Sequence, residues 1–125
     1  MIEIESEKSI KNVCDLKYII NITNEKKFLI KEIIDAFLKQ VPEELQSIND
    51  AITKTDYVII KNIAHTMQSS VSIMGISVLA PILQEMENLG ATAAGIERIK
   101  QLNQKLNLIC KQATEEIKRE KLNYV

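Results

Sequence analysis

A chain of 125 residues has the size of one domain and can bury a single core. Its 16 basic and 17 acidic side chains leave a formal charge of -1, and only 4% of its residues are aromatic, so neither a field for nucleic acid or anionic lipid nor a stacking platform for single strands is present. With 46% apolar residues, 3 Gly and 2 Pro, the composition favours long helices over turn-rich β architecture.

The first residues, Met1 to Lys8, alternate Ile with Glu and lack the basic start and apolar run of a secretion signal. A short helix is predicted over Cys14 to Ile20, ended by the polar stretch Asn21 to Asn24. From Glu25 the apolar positions Phe28, Ile30, Ile33, Ile34, Phe37, Leu38, Val41, Leu45, Ile48 and Ile52 recur at steps of three and four, the period of an amphipathic helix. Pro42 must kink that helix or split it, and because the stripe resumes in phase a single kinked helix is expected.

Thr55 or Asp56 is placed to cap a third element running from about Tyr57 to Met74, which Gly75 ends as a C-cap. Ser77 can cap a fourth helix, with Pro81 in its first turn and Leu79, Ile82, Leu83, Met86 and Leu89 on its apolar face. Glu87 on that helix reads as a solvated charge, and the small residues from Asn88 to Gly95 read as a loop. A last helix then carries Ile99, Leu102, Leu106, Ile109, Ala113 and Ile117 towards Glu120, with Lys118, Arg119 and Lys121 suiting the negative end of its dipole; residues 123–125 are expected to fray.

The expected fold is therefore all-α, an antiparallel up-down four-helix bundle with a short extra N-terminal helix, in one domain over residues 1–125 whose core spans about 14–121. No apolar run approaches the roughly 20 residues that span a bilayer. Cys14 and Cys110 stand apart with no CxxC or Cys/His ligand spacing, so free thiols in the reducing cytoplasm are expected, with no metal and no cofactor.

On a helical wheel, Ile60, Ile63, Ala64, Met67, Val71 and Met74 gather on one side of the third helix, and His65 lies about 155° from the centre of that stripe. The histidine must face outward, among Lys61, Asn62, Gln68, Ser69 and Ser72. A surface histidine is ordinarily just solvated. Here the imidazole stands among short polar side chains beside a lysine, a setting that can receive an anion, and a neutral ring nitrogen is a nucleophile towards an activated phosphoryl group. Lys61, Ser69 and Ser72 could then balance part of the added charge. No Gly-rich phosphate loop, Walker-type lysine or paired acidic motif for Mg²⁺ occurs, so activation would have to come from a partner.

The run Ala64-His65-Thr66-Met67-Gln68-Ser69-Ser70, followed by Gly75, Leu79 and the pair Met86-Glu87, resembles the signature of histidine-phosphotransfer domains. Asp15-Leu16, Phe28, Phe37, Pro42-Glu43-Glu44-Leu45 and Asp56-Tyr57 extend the resemblance over nearly the whole chain. It implies that His65 carries a phosphoryl group to or from the aspartate of a response-regulator receiver domain, with a hybrid histidine kinase as the other partner. A carrier without kinase activity of its own is expected, working as a monomer.

The family usually has Lys and Gly where this chain has Gln68 and Ser69. Gln68 keeps a donor but not a charge, so stabilisation of the phosphoryl group would be weaker or would lean on Lys61. The surface around His65, with Asn62, would receive the partner; Ile59, Ile73 and Ile76 fall at the margin of that face, either as bundle-edge packing or as the apolar rim of a docking surface. A competing reading is a helical scaffold that binds a receiver or kinase without relaying phosphate. An enzyme with its own chemistry would need a base, metal or cofactor site that one histidine and scattered carboxylates do not supply.

Overall fold

The computed structural model describes residues 12–124; the reading of Met1 to Lys8 and the end of the chain at Val125 lie outside them. Five α-helices follow in order: α1 (Lys17–Ile22), α2 (Lys27–Thr53), α3 (Tyr57–Ile73), α4 (Leu79–Thr92) and α5 (Ile96–Lys121), with a 3₁₀ turn over Leu122–Tyr124. No strand occurs among the described residues. Connections as short as residues 54–56 and 93–95 force successive helices to run antiparallel. The long helices close a ring in which α2 packs on α3 and α5, and α4 on α3 and α5, while α1 lies against α2.

The core is the one the periodicities point to: Ile30, Ile34, Phe37, Val41 and Ile48 from α2 meet Ile60, Ala64, Met67 and Val71 from α3, Leu79, Leu83 and Met86 from α4, and Ile99, Leu102, Leu106 and Ile117 from α5. Helix α2 runs without a break through Pro42, which is exposed, so the carbonyl that loses its partner there can turn towards water. At the start of α3, Asp56 Oδ1 accepts from the Ile59 N–H at 3.2 Å, the cap expected of it.

Several local expectations are corrected. The first helix begins at Lys17 rather than Cys14 and ends in a turn where Asn24 and Glu25 have positive φ. Ser77 does not cap α4; the Leu79 and Ala80 N–H groups bond the carbonyls of Ile76 and Ser77 in a preceding turn. The residues after Asn88 are helical as far as Thr92, because Gly90 serves as a contact surface rather than a break. A Cβ there would stand 3.0 Å from Lys61 Cβ and from the Tyr57 carbonyl oxygen of α3, so only glycine lets the two backbones approach this closely. Ile76, offered as a rim residue, is fully buried. It follows the left-handed turn at Gly75, which swings its side chain into the core and off the histidine face.

The segment before α1 is tied down at two places. Glu116, only 5% exposed on α5, accepts from the backbone N–H groups of Val13 at 2.8 Å and Cys14 at 3.0 Å, and from Gln112 Nε2 at 2.9 Å. These bonds replace the water that the carboxylate gives up on burial. The Asp15 N–H then donates to the Met74 carbonyl at 3.1 Å, and the Asp15 carbonyl oxygen occupies the space where a side chain at residue 75 would begin. Gly75 is thus required twice, by its φ of +65° and by this crossing.

Both cysteines are free, Cys110 buried and Cys14 half-buried with its Sγ against the Ala113 carbonyl. Burial pushes both thiols up to about 12, with the Glu116 charge adding to the effect at Cys14. The thiolate fraction therefore stays negligible through pH 9, and alkylating reagents at that pH should modify both cysteines only after denaturant unfolds the chain, as mass spectrometry of the native and unfolded protein would show. Gly75→Ala should lower stability by about 2 kcal/mol or more in denaturant titrations. Gly95→Ala, where the new Cβ would meet the flexible Leu89 side chain, should cost less.

Candidate functional site

Helix α3 presents His65 on its outer face because Ala64 and Met67, its neighbours in sequence, turn into the core. The imidazole is 73% exposed. Its placement relative to α4 follows from the antiparallel pairing of the two helices. Gly90 rests on Tyr57 and Lys61, and one turn along, where α3 has advanced to His65 and Gln68, α4 has stepped back to Glu87.

Glu87 is the residue that reading the sequence missed. Far from a solvated charge, it holds both polar side chains facing it: Oε2 lies 3.0 Å from His65 Nδ1, and Oε1 accepts from Gln68 Nε2 at 2.7 Å. A carboxylate accepts only, so His65 Nδ1 must donate, which leaves the lone pair of the neutral ring on Nε2. The two nitrogens flank Cε1 and point in widely different directions, so fixing Nδ1 against α4 leaves Nε2 directed off that contact.

Beside the ring is an open depression lined by His65, Gln68, Ser69, Ser72 and Ile73 of α3 and by Tyr18 of α1. The structure therefore brings together three of the proposed phosphoryl-stabilising residues, Gln68, Ser69 and Ser72, although the Gln68 amide is already engaged. Lys61 stands one turn before His65, half-buried, with the root of its side chain against Gly90. Glu87 of α4 adds an acidic group to this patch that the outer face of α3 alone does not show.

Of the proposed docking residues, Asn62 is exposed and lines a groove towards Gln40 and Glu43 of α2, while Ile59 and Ile73 are 43% and 36% exposed. Ile73 lines the depression with His65, whereas Ile76 is buried. Among the described residues no group of three His, Cys, Asp or Glu side chains is arranged to hold a metal. A larger groove between α2 and α5, lined by Val41, Pro42, Leu45 and Leu108, lies away from His65 and brings no titratable group to it.

A protein-family model described as the Hpt domain matches residues 32–122. The fold is similar to that of histidine-containing phosphotransfer protein B (HptB) from Pseudomonas aeruginosa PAO1, with a TM-score of 0.81 at 20% sequence identity over 90% of this chain and 96% of that one. No curated protein matches the chain in sequence.

The Glu87 contact makes a prediction about the imidazole alone. Glu87→Ala should release Nδ1 and let the neutral ring exchange between tautomers, moving both ¹⁵N resonances of His65 towards values averaged between them. Unchanged ring shifts in that variant would mean that the carboxylate does not hold the ring.

Proposed function

Since the chain belongs to the Hpt domain family, whose members are phosphocarriers of two-component phosphorelays rather than kinases, we propose that His65 is the residue that carries the phosphoryl group. The observation that supports this most directly is the exposed imidazole whose Nδ1 is committed to Glu87, so that Nε2 alone remains as a nucleophile.

Transfer from a receiver requires the Nε2 lone pair to attack the phosphorus of an aspartyl phosphate in line with the leaving carboxylate oxygen. The N–P bond forms as the P–O bond to the aspartate breaks, and the ring becomes positively charged. Glu87, at 3.0 Å from Nδ1, balances that charge where it develops. In the reverse direction the same carboxylate lets the ring leave as a neutral base, the Nε2 pair returning to the ring as phosphorus passes to the aspartate. Nothing in these steps needs a metal held by this chain; the acid and metal chemistry at the aspartate belongs to the receiver.

Family membership implies receivers and kinases as partners. The chemistry of the surface supports docking over Asn62, Ile59 and Ile73, where exposed apolar groups flank the polar patch around His65. The reading further takes the chain as a monomeric, cytoplasmic carrier without autonomous kinase activity, and its two free thiols suit a reducing compartment. No helix among the described residues is long and apolar enough to cross a membrane.

The test is phosphorylation of the purified chain by a receiver domain loaded with a small phosphodonor. The label should be acid-labile and base-stable and should be absent from His65→Gln, which should keep its helical circular dichroism because the replaced ring lies outside the core. Label retained in His65→Gln would remove the site assignment. Receiver binding without any transfer to the wild type would favour the scaffold reading instead.

A further inference from the structure

Phosphorylation would place a group of roughly two negative charges on Nε2, and the α4 side of the ring is poorly suited to receive it. Glu87 repels it, and the Gln68 amide has already given one of its two N–H groups to Glu87, at 2.7 Å. The side chain of Lys61 starts against Gly90, on the α4 side of the histidine. The geometry that holds Nδ1 against α4 leaves Nε2 directed off α4, and the ring itself lines the depression shared with α1. Besides the second N–H of Gln68, the donors lining that depression are hydroxyls, those of Ser69, Ser72 and Tyr18.

Tyr18 is the one contributor from outside α3. Its neighbour Ile19 is fully buried and anchors α1, while Tyr18 itself is 53% exposed, so its phenol is not needed to fill the core. The position of α1 is set independently, by the Glu116 clasp on residues 13 and 14 and by the Asp15 crossing at Met74 and Gly75, directly beyond Ser72 and Ile73 of α3. A long, rigid side chain with a terminal O–H is thus carried to the rim of the depression by an element that has no other contact with the chemistry.

We propose that Tyr18 is a phosphoryl-binding residue, its phenolic hydroxyl donating to a phosphoryl oxygen on His65 and closing a cradle that Ser69 and Ser72 begin. Bonds from neutral hydroxyls to a phosphoryl dianion are charge-assisted, so three of them offset much of what an absent cation would supply. The inference rests on His65 as the phosphorylated residue, and it assigns to α1 a part in stabilising the carried group.

A role in holding phosphate and a role in docking a receiver separate cleanly at equilibrium. The ratio of label on the two free proteins at the plateau of transfer depends only on the stability of each phosphorylated species, whereas a docking contact changes the forward and reverse rates together. The experiment is transfer between this chain and a receiver domain loaded with acetyl phosphate, followed to its plateau for wild type, Tyr18→Phe and Tyr18→Ala. Tyr18→Phe keeps the ring and removes only the hydroxyl. It should shift the plateau towards the receiver by about tenfold, the low end expected of one hydrogen bond to a charged group, and Tyr18→Ala should shift it by the same factor.

A plateau that stays at the wild-type ratio in Tyr18→Phe overturns the assignment, and if transfer to and from Tyr18→Ala is slowed at the same ratio, the ring is a docking contact. Absence of label on wild-type His65 would remove the reading of the histidine and this inference with it. Label on His65 with an unshifted plateau removes the Tyr18 assignment alone.

Discussion

Glycine at position 90 lets α4 lie against the backbone of α3 at Tyr57 and Lys61, and the position of the reactive ring depends on that approach. Two antiparallel helices in contact at one point are in contact one turn further on, and the next contact here is Glu87 with His65 and Gln68. A bulkier residue at the first point would separate the helices along their length and withdraw the carboxylate from the imidazole. The bundle core beneath, with Ala64 and Met67 of α3 against Leu83 and Met86 of α4, keeps the pairing from rotating. The site thus needs no loop and no bound ion for its shape; it is a consequence of how two helices fit.

Electrostatically the site is asymmetric. The α4 side is acidic and, in the proposed reaction, suits the ring when it bears positive charge, while the depression shared with α1 offers hydroxyls that would suit a carried anion. A carrier must hold its group loosely enough to pass it on, and neutral donors stabilise a dianion less than a lysine ammonium would. The presence of Gln68, tied to Glu87 in place of a free cation, is consistent with a phosphohistidine kept reactive towards either partner.

Just before α1, the Val13 and Cys14 N–H groups are held by the buried Glu116 on α5 and, at the crossing, the Asp15 N–H by the Met74 carbonyl at the end of α3. Gly75 leaves room for that crossing. Through it, three elements far apart in sequence meet at the end of the histidine face, and Tyr18 reaches the depression beside His65.

The sequence by itself determined the class of fold, the four long helices and most of their buried stripes, and the outward direction of His65. Each of these is a property of one helix, written in its own period. What only the tertiary structure decided is what faces what across helices: Glu87 on His65, Gly90 in a helix contact instead of a loop, Ile76 turned inward after Gly75, Tyr18 beside the histidine and Glu116 buried under the N-terminal segment. Period tells which side of a helix is apolar, but not its rotation and axial shift against a neighbour, which come from how particular side chains and missing side chains pack. Apart from its place in the family signature, nothing in the helix period distinguishes Glu87 from Glu85 two residues earlier, which pairs with Arg98 on the surface; the difference between them is 200° of helix, and it acquires meaning only when α3 is laid beside α4.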